Sequence, residues 1–354
     1  MPVNNTIQSR GPFPQGLLLQ KPQVNLIRSS STRMWLVSLC AGITILQSAL
    51  TDAFSSLFIA LAAVSGALLT EFLIDDISMR RFIREGGRSR ENQSGTYRDG
   101  SAITSALVLT LLLPNTIHPL FAFLGAVFAM LALKHSFGGL GTNWVNPALG
   151  AWLFIRFSWP GSFSAALMEF SPDVLAANLQ PVVSAGSFDA YWTSLLNRTI
   201  FSLTSSELPG GYIGLLVYSG TGIIADRGVL ALLAGTIIIT AGQVSRFWIP
   251  LAYLGVYSLL VRFAGGGDML FGLFSGGTLA AAFILASDPA TGPKSSAGLL
   301  IAAFLGGILN FVFRYLGFEP YGAFFAVTVL NALTPLFRYF ETRFLFAGGI
   351  HAKH

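Results

Sequence analysis

Long apolar runs, repeated along the whole chain, constrain the fold more than any other feature of this sequence. A straight membrane-spanning helix needs about 20 mostly apolar residues, and several of the runs come close to that length. Only 10% of the 354 residues are charged, whereas soluble domains carry about 25%. The chain is therefore predicted to be an all-α polytopic membrane protein with about ten transmembrane helices. The apolar runs lie at 34–50, 53–75, 101–113, 117–134, 146–158, 228–244, 248–263, 268–286, 297–316 and 320–338.

The sequence lacks the patterns that most catalytic, metal and nucleic-acid sites require. The single cysteine, Cys40, lies inside an apolar run and excludes an internal disulfide or a CxxC metal site. There is no P-loop, dinucleotide fingerprint, nucleophile elbow or histidine pair at metal-ligand spacing, so the chain is not expected to be catalytic on its own. The net charge of +5 comes from basic residues in loops between apolar runs, which is typical of cytoplasmic loops and not of nucleic-acid binding.

Basic residues set the predicted orientation in the membrane. Six arginines crowd the loop at residues 80–98, which places that loop in the cytoplasm. The polar N-terminal tail, residues 1–32, lacks the apolar centre of a signal peptide and is predicted to be cytoplasmic. Ten crossings then return the basic tail at 340–354 to the cytoplasm and leave residues 159–227 outside. An eleventh crossing at 211–224 would place the basic C-terminal tail outside the cell. This glycine-rich run is therefore predicted to be interfacial or re-entrant.

The two halves of the chain resemble each other and are predicted to be inverted repeats with broken helices. In the first half, residues 33–158, SAITSALVLTLLLP is followed by FLGAVFAMLAL and then by NPAL. In the second half, residues 228–339, SGGTLAAAFILASDP is followed by FLGGILNFVFRYLG and then by NAL. With ten crossings one half starts inside and the other outside, so the two five-helix repeats have inverted topology. Repeats of this kind place a binding site near their pseudo-two-fold axis.

The stretch at residues 137–149, FGGLGTNWVNPAL, is the strongest candidate for that site. Backbone that leaves the helix at membrane depth is tolerated where it is buried in protein or lines a cavity. Glycines let the backbone approach a flat ring or a quinone headgroup closely, and the asparagines supply side-chain donors and acceptors. The alternative is that the glycines only allow close helix packing. The candidate residues are Gly138, Gly139, Gly141, Asn143 and Asn146.

Charged residues are few within the apolar runs. They are predicted to extend towards the membrane interface, because all of them lie near span ends: Glu71, Asp75, Asp76, Arg156, Arg262 and Arg314. Asp288 precedes a proline and is typical of a helix stop with an aspartate cap. These charges alone do not separate a channel or carrier from a redox subunit.

Four stretches of the chain form a distinctive ordered set: residues 99–114 (DGSAITSALVLTLLLP), 137–149, 224–235 (IADRGVLALLAG) and 287–292 (SDPATG). This set resembles the RnfD/NqrB family, the membrane subunits of the Rnf and sodium-translocating NADH:quinone oxidoreductase complexes. The resemblance implies a multi-pass protein of the bacterial inner membrane that transfers electrons through flavin, coupled to Na⁺ or H⁺ translocation. It also implies other complex subunits and a flavin transferase as partners, with membrane lipid around the protein and a quinone as a further candidate ligand.

The resemblance further implies an FMN linked by a phosphoester to a threonine outside the membrane. In the family this threonine lies in a D-x-x-S-G-A-T-P-L type motif, and the matching stretch here is 188–196, FDAYWTSLL. Asp189 and Thr193 match the acid and the threonine, but the S-G-A is missing. Thr291 is a rival acceptor, and the predicted topology places it on the wrong side. The alternative is that no covalent flavin is attached. A second, non-covalent flavin (riboflavin) is a further expectation.

Two functions therefore remain open at the level of sequence. The first is a flavin-carrying subunit of an ion-translocating oxidoreductase complex of the Rnf/Nqr type. The second is an inverted-repeat channel or carrier for a small solute with no redox role. A flavin spectrum of the purified protein favours the first, and uptake into liposomes by the protein alone favours the second.

Overall fold

A computed structural model describes residues 30–84, 100–136, 143, 145–163, 187–203, 207–265, 267–317 and 319–346. Nearly all of the regular structure in these ranges is helical. The one exception within them is an isolated antiparallel bridge between Pro114 and Ile223. The structure thus confirms the prediction of an all-α polytopic membrane protein.

Five helices form the described part of the first half. The fourth of them continues as a π-helical segment, Ala129–His135, which brings Lys134 to its end. The helices are α1 (Ser30–Thr51), α2 (Ser55–Arg84), α3 (Ser101–Leu112), α4 (Pro119–Phe128) and α5 (Pro147–Ser158).

The rest of the chain contains helices of 3 to 19 residues, and one helix is interrupted. Between the halves lies α6 (Ser187–Thr199), and the run at 211–224 includes a four-residue 3₁₀ turn, Gly214–Val217. The interrupted helix consists of α10 and α11, with a π-helical segment, Ala281–Leu285, after α11. A second π-helical segment, Val312–Leu316, follows α12. The helices are α7 (Ile224–Arg227), α8 (Val229–Ala241), α9 (Trp248–Leu260), α10 (Met269–Phe274), α11 (Thr278–Ala280), α12 (Ser296–Phe311) and α13 (Gly322–Phe340).

Side chains just before the first turn explain where several helices begin. Asn146 caps α5 by accepting a bond from the Ala148 N–H at 3.0 Å, and Pro147 occupies the first helical position. Asp268 caps α10 at 2.8 Å and Ser295 caps α12 at 2.9 Å. The short polar breaks in the apolar sequence thus start helices as well as end them.

Within the described ranges, four helices are long and apolar enough to cross a membrane: Ser30–Thr51, Ser55–Ser78, Ser296–Leu316 and Gly322–Arg343. Shorter apolar helices accompany them, including Ser101–Leu112, Pro119–His135, Val229–Ala241 and Trp248–Ala264. The count of ten crossings, the division into two repeats and the boundaries of the tails and of the segment outside the membrane remain predictions.

The same helix pairs pack together in both halves. Helix α2 packs on α4 and α4 on α5, just as α9 packs on α12 and α12 on α13. Helices α1 and α8, the first of each half, pack on each other, with Gly235 of α8 against the buried Cys40 of α1. This pairing is what an inverted repeat predicts, because the first helices of the two halves then meet across the pseudo-two-fold axis.

Candidate functional site

A cavity of about 360 Å³ opens between the two halves at their predicted cytoplasmic end. Its walls come from α1, α3, the start of α5, α8 and the π-helical segment after α11. Apolar side chains form one part of the lining, among them Val37, Val108, Ile239 and Phe283. Polar side chains form the other part, among them Arg33, Ser101, Lys134, Asn143, Asn146 and Asp288. A volume of this size lies in the range of small-molecule sites, and the mixture of linings suits an amphipathic ligand.

Asn146 and Asp288 connect the two halves beside this cavity. The Asn146 side chain donates from Nδ2 to Asp288 Oδ2 at 2.9 Å, while its Oδ1 caps α5. Asp288 Oδ1 in turn accepts from the Ala290 N–H at 3.0 Å. Asp288 is therefore a helix-end residue, as the sequence indicated, and also a contact between the halves, which no local sequence pattern reveals.

Three polar atoms at the cavity are buried without a hydrogen-bond partner among the described residues. They are Asn143 Oδ1, Arg33 Nε and Ser245 Oγ, which together offer an acceptor, a donor and a hydroxyl. Buried polar atoms normally have partners, and each exception calls for an explanation such as a ligand or water. Asn143 and Asn146 both line the cavity. Gly138, Gly139 and Gly141 lie outside the described residues.

Lys134 lies at the end of the π-helical segment that follows α4. Its Nζ lies 2.7 Å from Glu71 Oε1 and 2.7 Å from Ser101 Oγ, and it also lines the cavity. The exposed fraction of the side chain is 3% for Lys134 and 0% for Glu71. The prediction that Glu71 extends to the interface is wrong, because a buried ammonium 63 residues away along the chain satisfies it.

Arg314 occupies the interruption between α10 and α11 in the second half. Its Nη1 donates to the carbonyls of Gly272 at 2.7 Å and Ser275 at 3.1 Å, and also to the hydroxyls of Tyr257 and Thr278. The Arg314 side chain is fully buried, so its predicted position at the interface is also wrong. The guanidinium instead satisfies the carbonyls that the end of α10 leaves free.

Asp226 acts at the other side of the same interruption. Its carboxylate accepts from the Gly277 N–H at 2.9 Å, at the start of α11, where Gly277 has φ +67°. A negative charge at a helix N-terminus and a positive charge at a C-terminus are both favourable. Both ends of the interruption are therefore stabilised by charged side chains of the protein, Arg314 at the end of α10 and Asp226 at the start of α11.

Thr193 lies in the middle of α6 with its side chain buried. Its Oγ1 forms no hydrogen bond with the described residues. Asp189, one turn earlier, accepts from the N–H groups of Gly211 and Gly214, both at 2.8 Å, and so holds α6 against the run at 211–224. The orphaned hydroxyl is compatible with a phosphoester at that atom, although the helix packs it inward. The rival Thr291 is also buried.

Tyr212 connects the run at 211–224 to α10. Its hydroxyl donates to Asp268 Oδ2, the residue that caps α10. Desolvation and the Asp268 carboxylate raise the pKa of Tyr212 to about 12, so the phenol stays protonated as the donor at neutral pH. In the part of the chain that the structure describes, no three His, Cys, Asp or Glu side chains are grouped to hold a metal ion.

The fold and the cavity define a polytopic membrane protein with a site of mixed apolar and polar lining at the contact between two helical halves. A family model described as the NQR2, RnfD, RnfE family matches residues 18–346, and the chain belongs to that family. The RnfD/NqrB resemblance is thereby confirmed at the level of the family.

Curated relatives from three organisms illustrate the membership. The chain is 31% identical over 249 residues to the D subunit of a Na⁺-translocating ferredoxin:NAD⁺ oxidoreductase complex of Acetobacterium woodii, covering 69% of this chain and 72% of the relative. It is 27% identical over 328 residues to the D subunit of a proton-translocating complex of the same kind from Clostridium ljungdahlii, covering 89% and 91%. It is 32% identical over 283 residues to the D subunit of an ion-translocating oxidoreductase complex of Alcanivorax borkumensis, covering 75% and 79%.

Proposed function

We propose that this chain is a flavin-carrying subunit of an ion-translocating oxidoreductase complex and passes electrons through the bacterial inner membrane. Membership of the family, with relatives named as the D subunits of such complexes, carries this proposal. The relatives' names include both a sodium- and a proton-translocating complex, so they do not select the ion. Other subunits of the complex supply the site that oxidises the electron donor, because the sequence contains no dinucleotide-binding pattern.

Thr193 is the proposed attachment site for covalent FMN. A buried threonine hydroxyl without a described hydrogen-bond partner, one helical turn after Asp189, supports the assignment. When bound, the flavin supplies reversible electron transfer. Asp189 fixes the helix that carries Thr193, so it positions the acceptor for the flavin transferase.

Peptide mass spectrometry tests the covalent flavin. Protein from a host that co-expresses the flavin transferase should carry one FMN mass on the peptide with Thr193, and Thr193→Val should remove it. Thr291→Val is the matched control and should keep the modification. An unmodified Thr193 peptide from that host would exclude the covalent assignment.

The inner cavity is the proposed site of a second, non-covalent flavin of the riboflavin type, with a quinone as the competing ligand. Its volume and the orphaned polar atoms of Asn143, Arg33 and Ser245 support a ring with both donors and acceptors. Reduction changes the charge of a flavin, and in a low-dielectric surround this change is costly unless a cation or proton accompanies it. A flavin beside an ion path is therefore physically reasonable.

Valine substitutions in the neighbouring glycine stretch test the cavity. Gly139→Val and Gly141→Val are expected to abolish non-covalent flavin or quinone binding, since a branched side chain blocks close approach of the backbone. The variants should still insert into the membrane, and an FMN carried by Thr193 should be retained. Full ligand content and full electron transfer in both variants would exclude a site there.

The second candidate function is an inverted-repeat carrier for a small solute. The cavity between the two halves favours it, because carriers of this type bind their substrate where the repeats meet. Purified protein that has no flavin spectrum but catalyses uptake into liposomes would replace the redox proposal with this one.

A further inference from the structure

Two fully buried polar side chains in the second half have no hydrogen-bond partner among the described residues. They are Tyr253 on α9 and Asn310 on α12, each with an exposed fraction of 0%. The orphaned atoms are the Tyr253 hydroxyl and both Oδ1 and Nδ2 of Asn310, so exchanging the amide oxygen and nitrogen does not remove an orphan. Helix α12 is part of a span that is long and apolar enough to cross the membrane, where an unpaired polar group is costly.

The two side chains face the same contact between α9 and α12. A Cβ at Gly306 would lie 2.6 Å from the Tyr253 ring. Further along α12, Arg314 donates to the Tyr257 hydroxyl at 2.7 Å. Asn310 lies four residues after Gly306 and four before Arg314. It therefore faces α9 between the levels of the two tyrosines.

Helix α13 brings a further orphaned donor to this level of the membrane. Asn331 Nδ2 is buried and has no partner within the described ranges. The side chain of the adjacent Leu330 lies 2.8 Å from the position of a Cβ at Gly306. Helices α9, α12 and α13 thus meet closely around Gly306, and a ligand that pairs with the orphaned atoms has to be small.

The corresponding place in the first half is apolar. Asn310 lies six residues after the start of its FLG sequence, and Ala129 lies six residues after the start of the matching FLG in the first half. Ala129 is also buried, with an exposed fraction of 1%. A small apolar residue thus meets the demands of helix packing at this place, so packing alone does not call for an amide.

We propose that Tyr253 and Asn310 form a site for bound water inside the second half. Water both donates and accepts hydrogen bonds, so it can pair with the amide oxygen, the amide N–H groups and the phenol. A metal cation suits the site less well, because the orphaned amides also present N–H donors and neither side chain carries a charge. The bound water extends the hydrogen-bond network of Arg314 and Tyr257 along α12. A use of this water in ion translocation rests on the proposed function, but the binding of water does not.

X-ray radiolysis of the purified full-length chain in detergent tests for the water directly. A short pulse splits water into hydroxyl radicals, which oxidise side chains in contact with that water. The Tyr253 ring should therefore be hydroxylated although it is fully buried. Met130 is the matched control, because it is fully buried next to Ala129 and its thioether reacts readily with these radicals. It should stay unmodified.

Rapid mixing with water that contains heavy oxygen distinguishes bound water from bulk water. The experiment is done without dissolved oxygen, so that the added oxygen atom comes from water. Exposed Tyr191 should incorporate heavy oxygen at the shortest mixing time, whereas Tyr253 should still incorporate the ordinary isotope. Equal labelling of the two tyrosines at that time would show that Tyr253 meets bulk water, and would exclude a bound-water site.

A substitution at Asn310 locates the water. Asn310→Leu fills the space with an apolar side chain, and the hydroxylation of Tyr253 should be lost. Ile308→Leu changes a more exposed position of the same helix and should leave the hydroxylation intact. Hydroxylation that persists in Asn310→Leu overturns the proposal. So does a wild-type protein in which Tyr253 is unmodified or Met130 is modified to the same extent, and this wild-type result decides if Asn310→Leu cannot be recovered.

Thermal unfolding gives a second readout, in which the sign of the change decides. Tyr253→Phe removes only the hydroxyl. If water binds there, the unfolding midpoint should fall by about 2–4 °C, since one hydrogen bond is lost. A dry, unpaired hydroxyl gives the opposite sign, because its removal relieves a desolvation cost.

Tyr257→Phe calibrates this measurement. Its hydroxyl has a partner in Arg314, so the midpoint should fall in this variant as well. A midpoint that rises in Tyr253→Phe while it falls in Tyr257→Phe overturns the proposal. None of these measurements needs a flavin, so the water site and the proposed function fail separately.

Discussion

At the scale of single residues, Asn146 carries two tasks that a substitution can separate. Its Oδ1 caps α5, while its Nδ2 donates to Asp288 Oδ2 across the two halves at 2.9 Å. Serine retains a capping oxygen but lacks the amide donor. The sequence therefore indicates that Asn146 caps a helix, but it does not indicate that Asn146 contacts Asp288 in the other half.

Asn146→Ser is expected to lower the free energy of unfolding by about 1–2 kcal/mol, which corresponds to one hydrogen bond to a carboxylate inside a membrane protein. Asn146→Asp keeps the cap but places two carboxylates in contact, so it should cost more than serine. The free energy of unfolding of both variants can be measured in mixed micelles.

The double variant Asn146→Asp/Asp288→Asn provides the control. Exchanging the two side chains restores a carboxylate–amide pair, and stability should recover to above that of Asn146→Asp alone. Additive losses in the double variant would show that the two side chains do not interact.

The partners of the buried charged residues could not be predicted from the sequence. The sequence predicts Glu71 at the interface because it lies near the end of an apolar run. Its partner Lys134 comes from another helix, 63 residues away. Arg314 likewise finds its carbonyls at Gly272 and Ser275, about 40 residues earlier. Such pairs depend on tertiary packing, which apolar periodicity does not encode.

At the scale of elements, the interruption between α10 and α11 depends on Gly277 as well as on the charged side chains of Asp226 and Arg314. Gly277 has φ +67°, a conformation that residues with a side chain rarely adopt. The Phe324 ring lies where a Cβ at position 277 would be placed. The two effects act together at one position.

Gly277→Ala is therefore expected to cost about 2–4 kcal/mol, from backbone strain and from displacement of Phe324. Gly255 in α9 is the matched control, because no described atom lies within 4 Å of the position that a Cβ would take and its φ is ordinary. Gly255→Ala should be neutral or stabilising by up to about 1 kcal/mol. Equal effects in the two variants, measured by unfolding in mixed micelles, would contradict this account.

Helix starts are the elements best predicted from the sequence. The Asn146-Pro147 pair and the Pro114–Pro119 region mark boundaries through local rules on capping and proline, and the structure begins helices at Pro147 and Pro119. The flavin-acceptor segment is less predictable. The family motif implies a loop around Thr193, but this residue lies inside α6, whose orientation depends on Asp189 contacts with Gly211 and Gly214.

At the scale of the whole molecule, the helix pairs that pack together are those that the internal similarity of the sequence suggests. The choice between ten and eleven crossings rests instead on the positions of the basic loops. The matched pairs α2 with α4 and α9 with α12 agree with an inverted repeat. Apolar length alone finds four clear spans and several shorter helices in the described ranges. The shorter apolar helices pack on neighbouring helices, so apolar length alone does not decide whether they cross the membrane. The orientation is predicted instead from the loops that carry basic residues.

Reporter fusions test the orientation directly. With ten crossings, green fluorescent protein fused after His354 should fluoresce, because it folds in the cytoplasm. Alkaline phosphatase inserted after Leu203, an exposed residue beyond α6, should be active, because it folds outside. The arginine-rich loop at 80–98 anchors this orientation, so replacing its arginines by glutamine should weaken both signals.

A silent fusion after His354 together with an active insertion after Leu203 would favour eleven crossings, with 211–224 as the additional one. The four-residue 3₁₀ turn at Gly214–Val217 is much too short to cross a bilayer, which argues for the first result.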